Sequence, residues 1–192
     1  MTRAARLALL LLLSWWTWRL LTHSFQQAVV GGSFLHVVDL MFHEAGHLIF
    51  SPFGVFMTTL GGSLMQCLVP IICAVAFYRT NKDLFAVAVM GWWLGENLQD
   101  VAMYIDDARM LQLQLLGGGT GAEIEGHDWE RLLTMMNALH LDHRIGHTVQ
   151  IIGAVLMLAC LGYAYFAPVV PTGAGPGAMT EPVSGARNMK TR

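Results

Sequence analysis

Hydrophobic residues in this chain form long runs that are separated by short polar segments. The first run, LALLLLLSWWTW, follows Arg3 and Arg6, and no small-residue cleavage site comes after it, so an uncleaved signal anchor is predicted at roughly 7–22. Four further apolar runs predict helices at roughly 34–50, 60–78, 84–105 and 145–167. We therefore expect an all-α, polytopic integral membrane protein with about five transmembrane helices, in a single domain over residues 1–167.

Composition and charge support a chain that lies in a bilayer. Of the 192 residues, 55% are hydrophobic and only 12% are charged, about half the charged share of a typical soluble domain. The formal net charge of −2 gives no basis for binding nucleic acid. We expect a multi-pass protein of the bacterial cytoplasmic membrane. The remaining segment, 168–192, is rich in Gly, Pro and Ala, and we predict a disordered tail.

The second apolar run contains the sequence HEAGH, residues 43–47. Residues four apart lie on one side of a helix, so His43 and His47 can bind one zinc ion. Glu44, next to the first histidine, can act as the general base for a water molecule whose pKa the zinc lowers. An ionisable group in the bilayer costs about 2.5–3.5 kcal/mol, which a metal ion helps to offset. His36 and Asp39 extend this polar stripe and are candidates for orienting the ligands or lining a water path.

A catalytic zinc site needs a third protein ligand, and the fourth apolar run supplies candidates. Glu96, Asp100, Met103 and Asp107 recur on one helix face. We predict that Glu96 is the third metal ligand. Asp100, one turn further on, would accept the ring N–H of a zinc-bound histidine and so orient that ring. The reverse assignment, with Asp100 on the metal, is an open alternative. A polar helix end leaving the membrane explains Asp107 more simply.

The sequence HEAGH in an apolar span, followed by GGS at 61–63, resembles the membrane-embedded zinc metallopeptidases of the site-2-protease type. The resemblance covers mainly residues 34–78. It implies a zinc cofactor and the hydrolysis of peptide bonds in a membrane protein or peptide. It also implies that Gly61 and Gly62 let the substrate backbone approach the site. In that family the third ligand is an Asp of a distal helix, within N-P-D-G or L-D-G, and neither sequence occurs here. The Glu96–Asp100 spacing is instead similar to the gluzincin pattern E-x-x-x-D.

A second group of histidines leaves two other functions open. His140, His143 and His147 recur at i, i+3 and i+7. With His43 and His47 they could form the histidine cluster of a di-iron type membrane oxidoreductase, although a polar helix face is the simpler explanation. The other alternative is a catalytically inactive membrane protein that binds metal. The glutamate inside the motif favours a peptidase over both, because metal binding alone does not require it.

One amphipathic segment, DWERLLTMMNAL, follows the fourth apolar run. Its leucines and its tryptophan fall on one side of a helix, opposite its charged residues. Two arrangements are compatible with that pattern. The helix either lies along the membrane surface or docks over the active site.

Overall fold

A computed structural model describes residues 1–22, 34–116 and 118–167. These residues contain no β-strand, only an isolated bridge between Gln114 and Thr120. The all-α prediction is therefore confirmed for the described part of the chain. The predicted disordered tail, 168–192, lies outside the described residues. The helices are α1 (Arg3–Thr22), α2 (Phe34–Phe50), α3 (Val55–Asn81), α4 (Leu84–Asp106), α5 (Asp128–Met135) and α6 (Asp142–Phe166), and short 3-10 turns at Ser51–Phe53 and Leu139–Leu141 precede α3 and α6.

Three of these helices are long and apolar enough to cross a membrane. They are α1, α3 and α6 together with the turn before it, Leu139–Phe166. At most 28% of the apolar window of each is buried inside the protein, so most of that surface needs lipid around it. These helices support a membrane protein. The predicted count of five spans is not confirmed, because α2 has only 17 residues and α4 places several polar side chains inside the protein.

The helices from α2 onward pack in alternating directions. His47 on α2 contacts the Thr58 carbonyl oxygen near the start of α3, so these two helices are antiparallel. α3 ends at Lys82, which adopts a left-handed conformation, and Asp83 then caps the first amides of α4. At the other end of α4, Asp106 bonds to His143 at the start of α6. The short turn at Lys82 and Asp83 makes α4 antiparallel to α3. The contact between Asp106 and His143 makes α4 antiparallel to α6.

The two ends of the bundle can therefore be distinguished. We name the end that contains the 51–54 loop, the last turn of α4 and the start of α6 the upper end. The lower end contains the turn between α3 and α4. Arg6 of α1 also lies there, because its guanidinium donates to the Ala167 carbonyl oxygen and stacks over the Phe85 ring. The N-terminus of α1 and the C-terminus of α6 are thus at the same end.

Helices α2 and α3 approach each other most closely at two glycines. A Cβ atom on Gly46 would collide with the carbonyl group of Gly61, and one on Gly61 would lie 2.6 Å from the Gly46 carbonyl oxygen. The next residue, Gly62, faces the ring of His43 and has no room for a side chain. These glycines therefore set the distance between the helices. The role implied by the resemblance, an approach path for a substrate backbone, finds no support in this packing.

The segment 107–127 and helix α5 cover the upper end of the bundle. Asp107 holds the start of this segment, because its carboxylate accepts the backbone N–H groups of Gln112 and Leu113. Helix α5 is docked on α3, where the Trp129 indole N–H donates to the Ser63 hydroxyl at 3.0 Å. Of the two arrangements open for this amphipathic helix, the structure therefore has the docked one. We name residues 107–127 together with α5 the cap.

The glycine contact between α2 and α3 predicts a stability difference between two alanine variants. Gly46→Ala is expected to lower the thermal unfolding midpoint in detergent, because an overpacked contact costs about 1–3 kcal/mol. Gly162→Ala is the matched control, since nothing lies within 4 Å of its added Cβ. Its midpoint is expected to stay or rise, because Ala favours a helix over Gly by about 1 kcal/mol. Equal midpoints for the two variants would contradict this packing argument.

Candidate metal centre

Three side chains at the upper end bring potential metal ligands together. Nε2 of His43 and Nε2 of His47 lie 2.9 and 3.1 Å from the same carboxylate oxygen, Oδ2 of Asp128. Ligand atoms of all three residues lie within 4.8 Å of one another, and no other such group of His, Cys, Asp or Glu occurs in the described parts of the chain. Ligands of a tetrahedral zinc ion, bound at 2.0–2.2 Å, are about 3.3 Å apart. The spacing here is close to that value.

Hydrogen bonds at Nδ1 of the two histidines leave Nε2 as the nitrogen that can bind a metal. Nδ1 of His43 lies 2.6 Å from Oε1 of Gln66, and Nδ1 of His47 lies 2.8 Å from the Thr58 carbonyl oxygen. Both partners only accept hydrogen bonds, so both Nδ1 atoms must donate. In each neutral ring the Nε2 lone pair therefore points at Asp128. A lone pair and a carboxylate oxygen repel at this distance unless a cation, either a proton or a metal ion, lies between them.

The amide of Gln66 is oriented by a second carboxylate. Its Nε2 donates to Oδ2 of Asp100 at 3.1 Å, which leaves Oε1 for His43. The other oxygen of Asp100 accepts from Nδ1 of His36 at 2.7 Å. A chain of hydrogen bonds thus runs from His36 through Asp100 and Gln66 to His43. Asp100 supports the metal-site histidine through Gln66, and not by the direct contact that the sequence predicted.

Glu96 is placed in a different cluster. It is 1% exposed, and its carboxyl group interacts with that of Asp39. Asp39 in turn accepts hydrogen bonds from the Trp93 indole and the Asn97 amide. Glu96 therefore does not belong to the group of ligand atoms formed by the two histidines, and the position predicted for it is taken by Asp128. Asp39, which the sequence placed on the same stripe as the ligands, packs against α4 instead.

Asp128 is positioned by the residues on either side of it. It is the first residue of α5, and His127 caps that helix by accepting the Glu130 backbone N–H at Nδ1. The other nitrogen of His127 lies 3.5 Å from Asp107. Burial lowers the pKa of His127 below its usual value, and the Asp107 carboxylate only partly offsets this effect. His127 is thus held as a neutral, fixed support for the start of α5.

The Asp128 carboxylate is ionised in this arrangement. Burial by itself would raise its pKa, but hydrogen bonds from His43 and His47, formed when Nε2 carries a proton, outweigh that effect and lower the pKa of Asp128. A carboxylate must be deprotonated to bind a metal ion. Asp128 therefore has both the position and the protonation state of a ligand.

A cavity of about 480 Å³ lies beside the three ligands, between α2, α3, α4 and the cap. Glu44 lines this cavity and is exposed, so its carboxylate can reach a molecule bound there. The cap contributes apolar side chains, Leu115, Leu116 and Ile124, and one arginine, Arg131. The cavity thus combines a carboxylate base, a candidate metal centre and a mixed apolar and polar wall.

Comparisons with known proteins add no further assignment. No protein-family model, curated protein sequence or solved structure matches the chain. The chemistry of the site therefore has to be inferred from its own residues.

The second group of histidines lies away from this cavity. Nδ1 of His143 is 2.6 Å from Oδ1 of Asp106, and Nε2 of His147 is 3.7 Å from the same atom. These residues line a separate cavity of about 300 Å³ between α4 and α6. His140 is exposed in the turn before α6. The structure therefore does not combine these three histidines with His43 and His47 in one cluster, as the di-iron alternative requires.

Sequence reasoning missed Asp128 as a potential ligand, although two signals pointed to it. The amphipathic segment that begins with this residue had docking over the site as one of its two interpretations. The family that the motif resembles also takes its third ligand from a distal Asp. Considered together, these signals would have made the first residue of a docked helix a candidate. Helical spacing favoured Glu96 instead, because it lies one turn from Asp100.

The three-residue group predicts which acidic side chain holds the metal. Zinc content of detergent-purified protein, measured by mass spectrometry, is expected to be about one per chain and to be lost in Asp128→Asn and His47→Ala, since each removes a ligand. Glu130→Gln is the matched control on the same turn of α5 and should keep its zinc. Glu96→Gln should also keep it. Retention in Asp128→Asn together with loss in Glu96→Gln would favour the assignment made from sequence.

The hydrogen-bond chain behind His43 predicts a graded effect on affinity. Gln66→Leu removes the acceptor that orients this ring, and loss of such a partner typically weakens metal binding by about 10–100-fold. Competition with a zinc chelator would measure the change. Gln99→Leu replaces an equally buried glutamine that bonds to the Gln150 carbonyl oxygen, and its zinc affinity should match that of the wild type. An unchanged affinity in Gln66→Leu would rule out this orienting role.

Proposed function

We propose that this chain is a membrane-embedded zinc metallopeptidase. His43, His47 and Asp128 are its metal ligands and Glu44 is its general base. The observation that carries the proposal is the convergence of two histidine Nε2 atoms on one carboxylate oxygen. Because Nδ1 of each ring already donates a hydrogen bond, a proton or a metal ion must lie between Nε2 and that oxygen. Two imidazoles and one carboxylate are also a ligand set found in catalytic zinc sites that keep one position open.

The residues around the ligands fit a zinc ion. Both histidines donate their second ring N–H to an oxygen, which is the usual arrangement for histidines on zinc and fixes the ring orientation. Asp128 comes from a separate helix, α5, and contacts both histidines. A bound zinc ion supplies a Lewis acid and a water molecule whose pKa is lowered.

Glu44 supplies the proton transfer that peptide hydrolysis requires. As a carboxylate it accepts a proton from the attacking water, and it then returns that proton to the nitrogen of the leaving amine. Its place next to His43 in the sequence brings it to the same cavity as the ligands, and its exposure leaves it free to act. A site built only to store or sense a metal would not need this free carboxylate. That difference favours a peptidase over an inactive metal-binding protein.

The membrane setting supports a membrane protein or peptide as the substrate. Three helices are able to span a bilayer, and we propose that α2 and α4 complete a polytopic bundle with them, in the bacterial cytoplasmic membrane. The buried polar side chains of α4 face other helices and would be shielded from lipid. The exposed face of α2 contains apolar Val37, Met41 and Leu48, and the exposed Glu44 on that helix lines the cavity. These features suit a short helix on the lipid side of the bundle.

The catalytic assignment predicts a separation of metal binding from activity. Glu44→Gln is expected to keep its zinc, because Glu44 is not a ligand. Its metal-dependent peptide cleavage should fall by about 100-fold or more, since general-base catalysis contributes roughly 10²–10⁴-fold. Glu125→Gln is the matched control, another exposed carboxylate that lines the same cavity, and should stay close to wild-type activity.

Other results of the same experiment would identify a different function. Cleavage by Glu44→Gln at the wild-type rate would exclude this residue as the base. Bound iron that depends on His143 would favour the oxidoreductase instead. Zinc without any peptide cleavage in the wild type would favour the inactive metal-binding protein.

A further inference from the structure

We infer that this centre acts at the surface of the membrane, on extended peptide segments next to a transmembrane helix. It would not act within the membrane-spanning part of its substrate. This inference rests on the proposed peptidase function and specifies its substrate class. The depth of the ligands and the residues of the cap carry it.

The depth of the ligands follows from their contacts with α3. This helix has 27 residues and is about 40 Å long, whereas the hydrocarbon core of a bilayer is about 30 Å thick. About 5 Å at each end of α3 therefore lies among the headgroups. Thr58, which holds His47, is the fourth residue of α3, and Gly62, which contacts His43, is the eighth. The ligands are therefore about 5–10 Å below the upper end, close to the hydrocarbon boundary.

The cap forms the outer wall of the cavity. Four of its side chains at the cavity are exposed, and two of these, Glu125 and Arg131, are charged. Charged side chains of this kind require water or headgroups around them. The wall also contains Leu115 and Leu116. A short extended segment with both apolar and polar side chains matches such a wall better than an apolar helix does.

The location can be tested without any activity measurement. Single cysteines are introduced for labelling in a variant with Cys67, Cys73 and Cys160 replaced by Ala.

The depth can be tested with lipid quenching in phosphatidylcholine–phosphatidylglycerol vesicles. A fluorophore on Ile124→Cys, at the cavity, is expected to be quenched by lipids brominated near the headgroup and not by lipids brominated deep in the acyl chain. The control is a fluorophore on Val155→Cys, an exposed position in the middle of α6, and it should show the reverse. Equal deep quenching of the two labels would overturn the surface location.

The substrate class is tested with two sets of single-span reporters. One fluorogenic peptide library is placed either directly outside a polyleucine helix or in its middle. The zinc-loaded wild type is expected to cleave only the first set, and Glu44→Gln neither. Cleavage in the middle of the helix would overturn the proposed substrate class. Absence of cleavage in both sets, with the quenching results as expected, would count against the peptidase function and leave the location of the site intact.

Discussion

An imidazole lone pair cannot face a carboxylate oxygen at about 3 Å without a cation between them, and the upper end of this protein is organised around two such contacts. His43 and His47 meet Asp128 there because their remaining nitrogens are already bonded to Gln66 and to a backbone carbonyl. Each supporting element, from the close approach of α2 and α3 to the docking of α5, determines where one of these three groups lies. The candidate chemistry depends on all three groups lying in contact with one another.

The close contact between α2 and α3 and the hydrogen-bond chain through Gln66 both determine the position of the His43 ring. Gly62 lets α3 approach the His43 ring, and any side chain there would displace it. Gln66, one turn further along α3, then bonds to the ring and is itself held by Asp100 on α4. The position of one ligand is thus fixed by two further helices. Buried polar side chains in a membrane protein are costly when unpaired, and two of those described here, Gln66 and Asp100, are paired so that they orient the site.

Helical class, apolar runs and the pair of histidines could be predicted from sequence, because each depends on local spacing. The third ligand could not, because it depends on which distant segment packs on α2. Helical periodicity correctly places Glu96 on the inner face of α4, but it cannot distinguish a face that meets His43 from one that meets Asp39. Asp128 lies about 80 residues from the motif, and only the docking of Trp129 on Ser63 brings it there. The depth of the site likewise depends on contacts between helices.

In the function proposed above, the third ligand belongs to an eight-residue helix that is not itself part of the membrane bundle. Metal binding and the docking of the cap would then be thermodynamically linked, and by reciprocity each would strengthen the other to the same extent. A change that moves α5 away from α3 would weaken metal binding, and a bound ion would in turn stabilise the docked position of α5. The proposed centre would therefore both carry out the reaction and hold in place the wall that encloses it.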